Sequence, residues 1–421
     1  APITGDQLTS GAEAASISPD GRYLAFVSTS SNMGQPSDGS WDVYLYDLET
    51  DEYLLATAGL GSGNSYAPSI SEGGLAVAFQ SEANDLVAGG TSGVTDLFYS
   101  AAYDAGGGAV AFETHLVSRG LLGAAPNAAS QYASISGNGR YVAFLSYASN
   151  LIADDSNASP DIFVGDAQDF ASPPERVSVG DGDVQINGYS RALSPNAISS
   201  DGRYVAFAVD TPVSIDGSNA GTLSDVFVRD RTAGTTRLMS KSTAGVAGSG
   251  SSDMAAISPS GRYVVFRSFS TNLVTSASGS LIYVRDRQAN TTTNMPLPPG
   301  ANSCEDPRIS DFGDIVAQCN MSSGSAQAFL YKPAGAGAFY QLSTSTTASA
   351  GNGTSGNYTG ISADGAFMVF DSAASDLVPD DTNNTLDVFV AIPEPDAASG
   401  WLVAISALAV AARRRSKRRS R

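Results

Sequence analysis

Two loops of this chain spell Asp-x-Asn-x-x-x-Asp: Asp155, Asn157 and Asp161 in one, Asp381, Asn383 and Asp387 in the other. Oxygen side chains at alternating positions of a tight loop can converge on Ca²⁺, a hard cation that takes six to eight oxygens. The spacing lacks the glycine and the terminal glutamate of an EF-hand. The same residues also shape turns by bonding their own backbone, and this second use is the reading we favour. A related stretch, Gly90 to Asp96, keeps only the final Asp. That points to a structural role for the Asp itself. Ca²⁺ is therefore a candidate ligand, and the reading requires no cofactor.

Other reactive types are sparse. His115 is the sole histidine, so a His-rich zinc site is excluded and a Ser-His-Asp triad would have to use this one residue. It falls in a predicted outer strand and reads as a satisfied strand histidine. Arg22, Arg140, Arg203 and Arg262 each follow a glycine in similar contexts. They could form an anion site, but such placement argues for pairing with an acid or carbonyl of a neighbouring repeat. Ser37 to Trp41 is a faint, short match to the Asp-box turn of sialidases and carries no activity. Glycoside chemistry needs only two placed carboxylates, and the 42 acidic residues offer no way to choose a pair.

These residues sit on a repeat. Ser16-Ile17-Ser18-Pro19-Asp20-Gly21-Arg22-Tyr23-Leu24-Ala25-Phe26 returns six more times, with its glycine at 73, 139, 202, 261, 313 and 365, spaced by 52 to 66 residues. A run ending in Ile-Ser enters a turn whose glycine can take positive φ, and a second run leaves it. That second run is apolar on both faces, as in a strand covered on both sides. A third strand follows, as in Asp42–Asp47, Asp161 to Val164 and Asp225–Asp230, and then a fourth run such as Thr236 to Ser240. Four strands repeated seven times predict an all-β, seven-bladed β-propeller over residues 1–391. The seventh repeat stops at Val390 and a spare fourth-type run stands near Leu8, so the N-terminal strand is expected to close the last blade. Cys304 and Cys319 flank the sixth hairpin on adjacent strands. A disulfide and two buried thiols both fit there.

The pattern Ile-Ser-x-Asp-Gly-Arg-Tyr-Val-Ala-Phe, followed by Asp-Val-Phe-Val-Arg-Asp, resembles the TolB-type propeller repeat. The likeness covers residues 5 to 391 and departs most at Asp311 to Asp314, where Arg-Tyr is missing. It implies the propeller fold, a binding surface in most members and catalysis in a few.

Composition agrees with a turn-rich β protein: 44 glycines, 9% aromatic residues and 15% charged ones. Seven of the 23 basic residues lie in the last nine positions, leaving residues 1–412 seven charges more negative than the chain's −19. Such a surface repels nucleic acid. The chain opens at Ala1, which reads as a processed N-terminus.

After Val390 the character changes. Pro393-Glu394-Pro395 lies in a linker over 392–396, residues 397–412 are uncharged, and a basic cluster with Arg413, Arg414 and Arg415 fills 413–421. Sixteen residues as a helix reach about 24 Å, short of the roughly 30 Å hydrocarbon core, so a transmembrane helix here needs arginine snorkelling or local thinning. The basic end would stay cytoplasmic with the propeller outside. This order of elements closely resembles the PEP-type C-terminal sorting signal. The resemblance implies a Gram-negative bacterium, an exosortase-type processing enzyme as partner, transient anchoring in the inner membrane, and release to the cell surface or extracellular matrix. The expected work is binding of an exopolysaccharide or an envelope protein through a propeller face. The competing expectation is a polysaccharide lyase or glycoside hydrolase with carboxylates near the axis. Convergent acids beside a basic residue in a deep axial pocket would favour the enzyme. A face lined by Ser, Thr and Tyr would favour binding.

Overall fold

One serine closes each repeat hairpin on itself. In the third repeat Ser136 Oγ donates to Asn138 Oδ1 at 2.6 Å and accepts from the Tyr141 N–H at 2.9 Å, while the Gly139 N–H reaches the Ser136 carbonyl at 2.9 Å. Gly139 has φ of 72°, where an L side chain would be strained. The turn therefore needs both its Ser and its Gly.

In the computed structural model the described residues are 8–392, less 9, 32, 34–38, 58–62, 88–92, 107–108, 192, 211–214, 216–222, 276–279, 336 and 380. They form seven antiparallel sheets, spanning 12–55, 65–116, 130–176, 189–238, 252–295, 301–341 and 355–391. Six sheets have four strands in sequence order, and the seventh shows three, Ser355–Ile361, Met368–Ser372 and Asp387–Ala391. The protein is an all-β, seven-bladed propeller, with no α-helix among the described residues. Most of the expected closing strand lies outside them. Leu8 itself is buried in one apolar cluster with Val388 and Val390 of the seventh blade.

The first strand of each blade is the inner one, and the second and third strands are covered on both faces. Tyr141–Ser146 and Asp161–Asp166 are buried almost throughout. Register places an aromatic pair across these two strands in six blades, as in Phe26 with Tyr44 and Phe144 with Phe163, at centroid distances of 5.9 and 5.8 Å. Each pair adds about 1 kcal/mol beyond its buried area.

Neighbouring blades are joined at the hairpin turns. Hydrogen bonds run Gly73 N–H to Asp20 Oδ2, Glu72 N–H to the Gly137 carbonyl, Asn138 N–H to Ser200, Ser200 N–H to Pro259, Ser260 N–H to Asp311 Oδ1, Asp311 N–H to Ala363, and Ala363 N–H to Pro19, at 2.8–3.0 Å. These links pass through all seven blades and return to the first. Rings also cross the seams: a Cβ on Gly74, Gly202, Gly261 or Gly21 would overlap Tyr23, Tyr141, Tyr204 or Phe367 of the preceding blade.

Four arginines correct one sequence expectation. Arg22, Arg140, Arg203 and Arg262 pair with Asp47, Asp166, Asp230 and Asp286 of their own blade, at 2.6–2.8 Å, and not with a neighbour's acid. The register is the cause, since Tyr23 lies opposite Asp47 and the preceding Arg22 fans over it. Each guanidinium also lies over the adjacent tyrosine ring, 4.7–4.9 Å from its centroid. The bond from Arg140 holds Asp166 below the usual carboxylate range.

No helix among the described residues is long and apolar enough to cross a membrane. Pro393, Glu394, Pro395, the segment 397–412 and Arg413, Arg414 and Arg415 lie outside the described residues.

Candidate functional site

At the end opposite the turns, inner strands begin and second strands stop. Residues here form the other mouth of the channel. Inner strands bulge near this end, and Ala14, Ala67, Tyr132, Met254 and Asp306, each three residues before the conserved-position Ile of its repeat, have φ between 46° and 60°. A left-handed non-glycine costs roughly 1 kcal/mol or more each time. The pairing register shifts at these positions, as at a β-bulge. Gln80 Oε1 of the preceding blade accepts from the Tyr132 N–H at 3.1 Å and fixes one of them.

The rim is aromatic. Tyr132, Tyr147, Tyr189, Phe269 and Tyr358 are 37–49% exposed, and two aromatics away from this end, Tyr103 and Phe312, are exposed as well. The Tyr147 and Tyr189 hydroxyls meet at 2.9 Å. That bond pushes the Tyr147 phenol up to about 12. Burial raises the Tyr358 phenol, and Glu13, Asp371, Asp306 and, least, Tyr132 add to it.

Below the rim the acids are mostly engaged. Asp253 and Glu305 both hold Arg267, at 2.8 and 3.1 Å, and Glu305 also accepts from Asn320 at 3.0 Å. Asp306 holds Arg308 at 2.9 Å. Arg308 is 2% exposed, and the equivalent positions of the other blades carry Ser16, Ser69, Ser134, Ala197, Ala256 and Gly360. One long side chain thus fills space that six small ones leave near the axis.

Two further acids stand apart. Asp371 accepts from the Tyr358 N–H at 3.0 Å, and its other oxygen is buried with no partner among the described residues. Burial pushes its pKa up to about 7, with the Glu13 charge adding to it. Burial also raises Glu13. Asp371 is 1% exposed.

The residues singled out in sequence fall elsewhere. Asp155 and Asp161 come together around Arg176, at 3.7 and 3.5 Å, and Gln185 Nε2 bonds both, at 3.0 and 3.3 Å. Asn157 spends its amide on the Ile186 carbonyl at 2.9 Å. One guanidinium thus stands between the two acids. Ser178 Oγ donates to Asp161 Oδ1 at 2.6 Å, and Ser240 does the same for Asp225 at 2.7 Å. The Asp before the third strand is thus an anchor for the strand that follows. In the seventh blade Asn383 Nδ2 donates to Asp387 at 3.1 Å, and burial, with Asp381 nearby, pushes Asp387 up to about 6. Among the described residues no three His, Cys, Asp or Glu side chains converge as metal ligands. His115 stacks on Phe170 with centroids 4.3 Å apart and meets Glu113 at 3.3 Å. Cys304 and Cys319 are disulfide-bonded, with Cα atoms 4.0 Å apart.

Tyr132 and Tyr358 were not singled out in sequence, because nothing in an isolated repeat marks an exposed tyrosine or the left-handed backbone of Tyr132. The one available signal was aligned position: the residue three before Ile is Ala in two repeats and Tyr in two.

No protein-family model and no curated protein matches the chain. Solved structures do. A puromycin-hydrolysing peptidase from Mycobacterium tuberculosis aligns with 93% of this chain and 53% of its own, at 11% identity and a TM-score of 0.54. The propeller domain of the Trilobed protease from Pyrococcus furiosus aligns over 90% of this chain and 94% of that domain, at 11% identity and a TM-score of 0.52. A putative TolB from Agrobacterium tumefaciens covers 70% of this chain and 86% of its own, at 14% identity, but its TM-score of 0.39 is too low to argue from. The chain spans about half the length of the whole peptidases. At these identities the likeness is one of fold alone, and the fold it shows is the β-propeller found in peptidase propeller domains.

Proposed function

We propose that this protein is an exported propeller of the cell surface or extracellular matrix that binds a polysaccharide or an envelope protein at its channel mouth, without catalysis. The exposed rim of Tyr132, Tyr147, Tyr189, Phe269 and Tyr358 carries the reading. Tyrosine offers an apolar face and a polar tip, which suits the apolar faces and hydroxyls of a sugar chain, and we take an exopolysaccharide as the first ligand to test. The acidic surface disfavours nucleic acid.

Export is supported by Pro393-Glu394-Pro395 and the basic cluster after it, and by the disulfide, since such bonds persist in oxidising compartments. On this reading an exosortase-type enzyme processes the tail after transient anchoring in the inner membrane.

The lyase or hydrolase reading has one observation in its favour, the raised carboxyls of Glu13 and Asp371. The burial of Asp371 counts against it. Incubating the protein with a panel of bacterial exopolysaccharides, with and without Ca²⁺, separates the two. Retention on polymer with no shorter sugars released is the expected result, while release of shorter sugars would replace binding by catalysis.

A further inference from the structure

Blades 3 and 4, and blades 4 and 5, are joined on their flanks by the same set of contacts, built twice. In the first copy Arg229 donates to the Gly180 carbonyl at 3.2 Å and to Thr236 Oγ1 at 3.4 Å, and Thr236 Oγ1 donates to the Val179 carbonyl at 2.5 Å. In the second, Arg285 donates to the Ser242 carbonyl at 3.4 Å and to Thr292 Oγ1 at 3.0 Å, and Thr292 Oγ1 donates to the Lys241 carbonyl at 2.5 Å. Arg231 and Arg287 correspond in the same way. Each bonds the carbonyl of a hairpin glycine, Gly202 or Gly261, and lies over a tyrosine of the preceding blade, Tyr141 or Tyr204.

The copies differ in charge. The first is neutralised: Asp183 pairs with Arg229, and Glu175 pairs with Arg231 at 2.7 Å. In the second, the loop position of Asp183 is Gly245, and the strand position of Glu175, opposite Val164, is taken by Arg237, opposite Val228. Val179 is replaced by Lys241. Arg285 is 3% exposed, and its donors go only to neutral oxygens, the third being Asn290 Oδ1 at 3.1 Å. Among the described residues neither Arg285 nor Arg287 has a carboxylate within ion-pair distance. A cavity of about 230 Å³ opens here, lined by Arg237, Lys241, Arg285, Arg287, Asp230 and Asn290 among others. Asp230 is already held by Arg203 at 2.8 Å. Arg237 is paired with Asp181 at 2.8 Å, so the cations left without a carboxylate among the described residues are Arg285 and Arg287, and a buried guanidinium without a counter-ion calls for an anion from outside.

We infer that the cavity between blades 4 and 5 binds a carboxylate ligand the size of one sugar acid, whose charge stands in for Asp183 and Glu175, the partners of Arg229 and Arg231 between blades 3 and 4. Arginine forks match a planar carboxylate by paired hydrogen bonds. The volume is below the range of drug-sized pockets and suits a single ring with its acid group. Met239 and Val228 give an apolar wall for the face of the ring. This flank site is separate from the channel mouth and does not depend on what the mouth binds.

Calorimetric titration of the whole protein with glucuronate, glucose and inorganic phosphate tests it. Glucuronate should bind one to one, more weakly as salt rises, and glucose should not bind. R237E places at this exposed position the acid found in the first copy, and it also breaks the pair of Arg237 with Asp181, so folding of the variant is checked by melting; R285Q removes the buried cation. Each should weaken glucuronate roughly tenfold or more, as expected for loss of a charged hydrogen bond. Equal binding of glucose, no binding of glucuronate by the folded protein, or unchanged affinity in R237E would overturn the assignment. Phosphate bound in place of glucuronate would overturn its carboxylate chemistry.

Discussion

The Ala363 N–H donates to the Pro19 carbonyl at 2.8 Å, tying the turn of the last blade to the turn of the first. The Phe367 ring lies against Gly21 at the same seam. Closure of the ring therefore uses the hairpin turns themselves, in addition to the packing of Leu8 against Val388 and Val390.

Gly21→Ala should destabilise the propeller by about 2–4 kcal/mol, since the new methyl must take positive φ and also displace Phe367. Gly182 has φ of 73° but nothing within 4 Å of an added Cβ, so Gly182→Ala carries the backbone cost alone, about 1 kcal/mol. Denaturant melts of the two variants isolate the seam. Equal losses would mean that the ring contact contributes nothing.

Cys304 and Cys319 occupy the register pair that in other blades is Ser65 with Ser81, Ser130 with Ser146, Ser252 with Ser268 and Ser355 with Ser372, hydrogen-bonded at 2.6–3.0 Å. Converting both cysteines to serine should cost about 3 kcal/mol of loop constraint, offset by about 1 kcal/mol from the new hydrogen bond. Reductant should lower the melting temperature of the wild type and leave the double serine variant unmoved.

Asp371 sets a pH dependence with a definite sign. Its pKa is about 7 in the fold against an ordinary 3.8, so the folded state keeps a proton that the unfolded chain releases near pH 4. Stability from this group falls as pH rises from about 4 to about 7 and is level above that. Asp371→Asn keeps the acceptor for the Tyr358 N–H and removes the titration. The variant should gain on the wild type between pH 5 and pH 8 by a few kcal/mol; a difference in melting that stays constant over that range would contradict it.

The repeat was readable because each hairpin carries its own instructions: Ser136 and Gly139 define the turn locally, and the apolar run Tyr141–Ser146 declares a strand buried on both faces. Disulfide pairing was half legible, since adjacency followed from the hairpin while bonding did not. The mouth was not legible. Tyr132 sits on a bulge and Gln80 of another blade fixes its N–H, and no local pattern encodes a contact 52 residues away. The arginine pairs were placed in the wrong partner for a related reason. Register between the second and third strands decides that Arg140 meets Asp166, and register emerges only when the blade is assembled. The partners of Asp155 and Asp161 were not legible either, because Arg176 and Gln185 come from beyond the third strand.

Binding at the channel mouth is tested most directly by the affinity for a retained exopolysaccharide of the wild type and of a Tyr132→Ala, Tyr358→Ala double variant, with folding checked by melting. Stacked rings at a binding site are each worth about 1 kcal/mol, so the double variant should bind roughly tenfold or more weakly, with the polymer left intact by both proteins. Equal affinity in the two proteins, or polymer shortened by the wild type, would contradict the account.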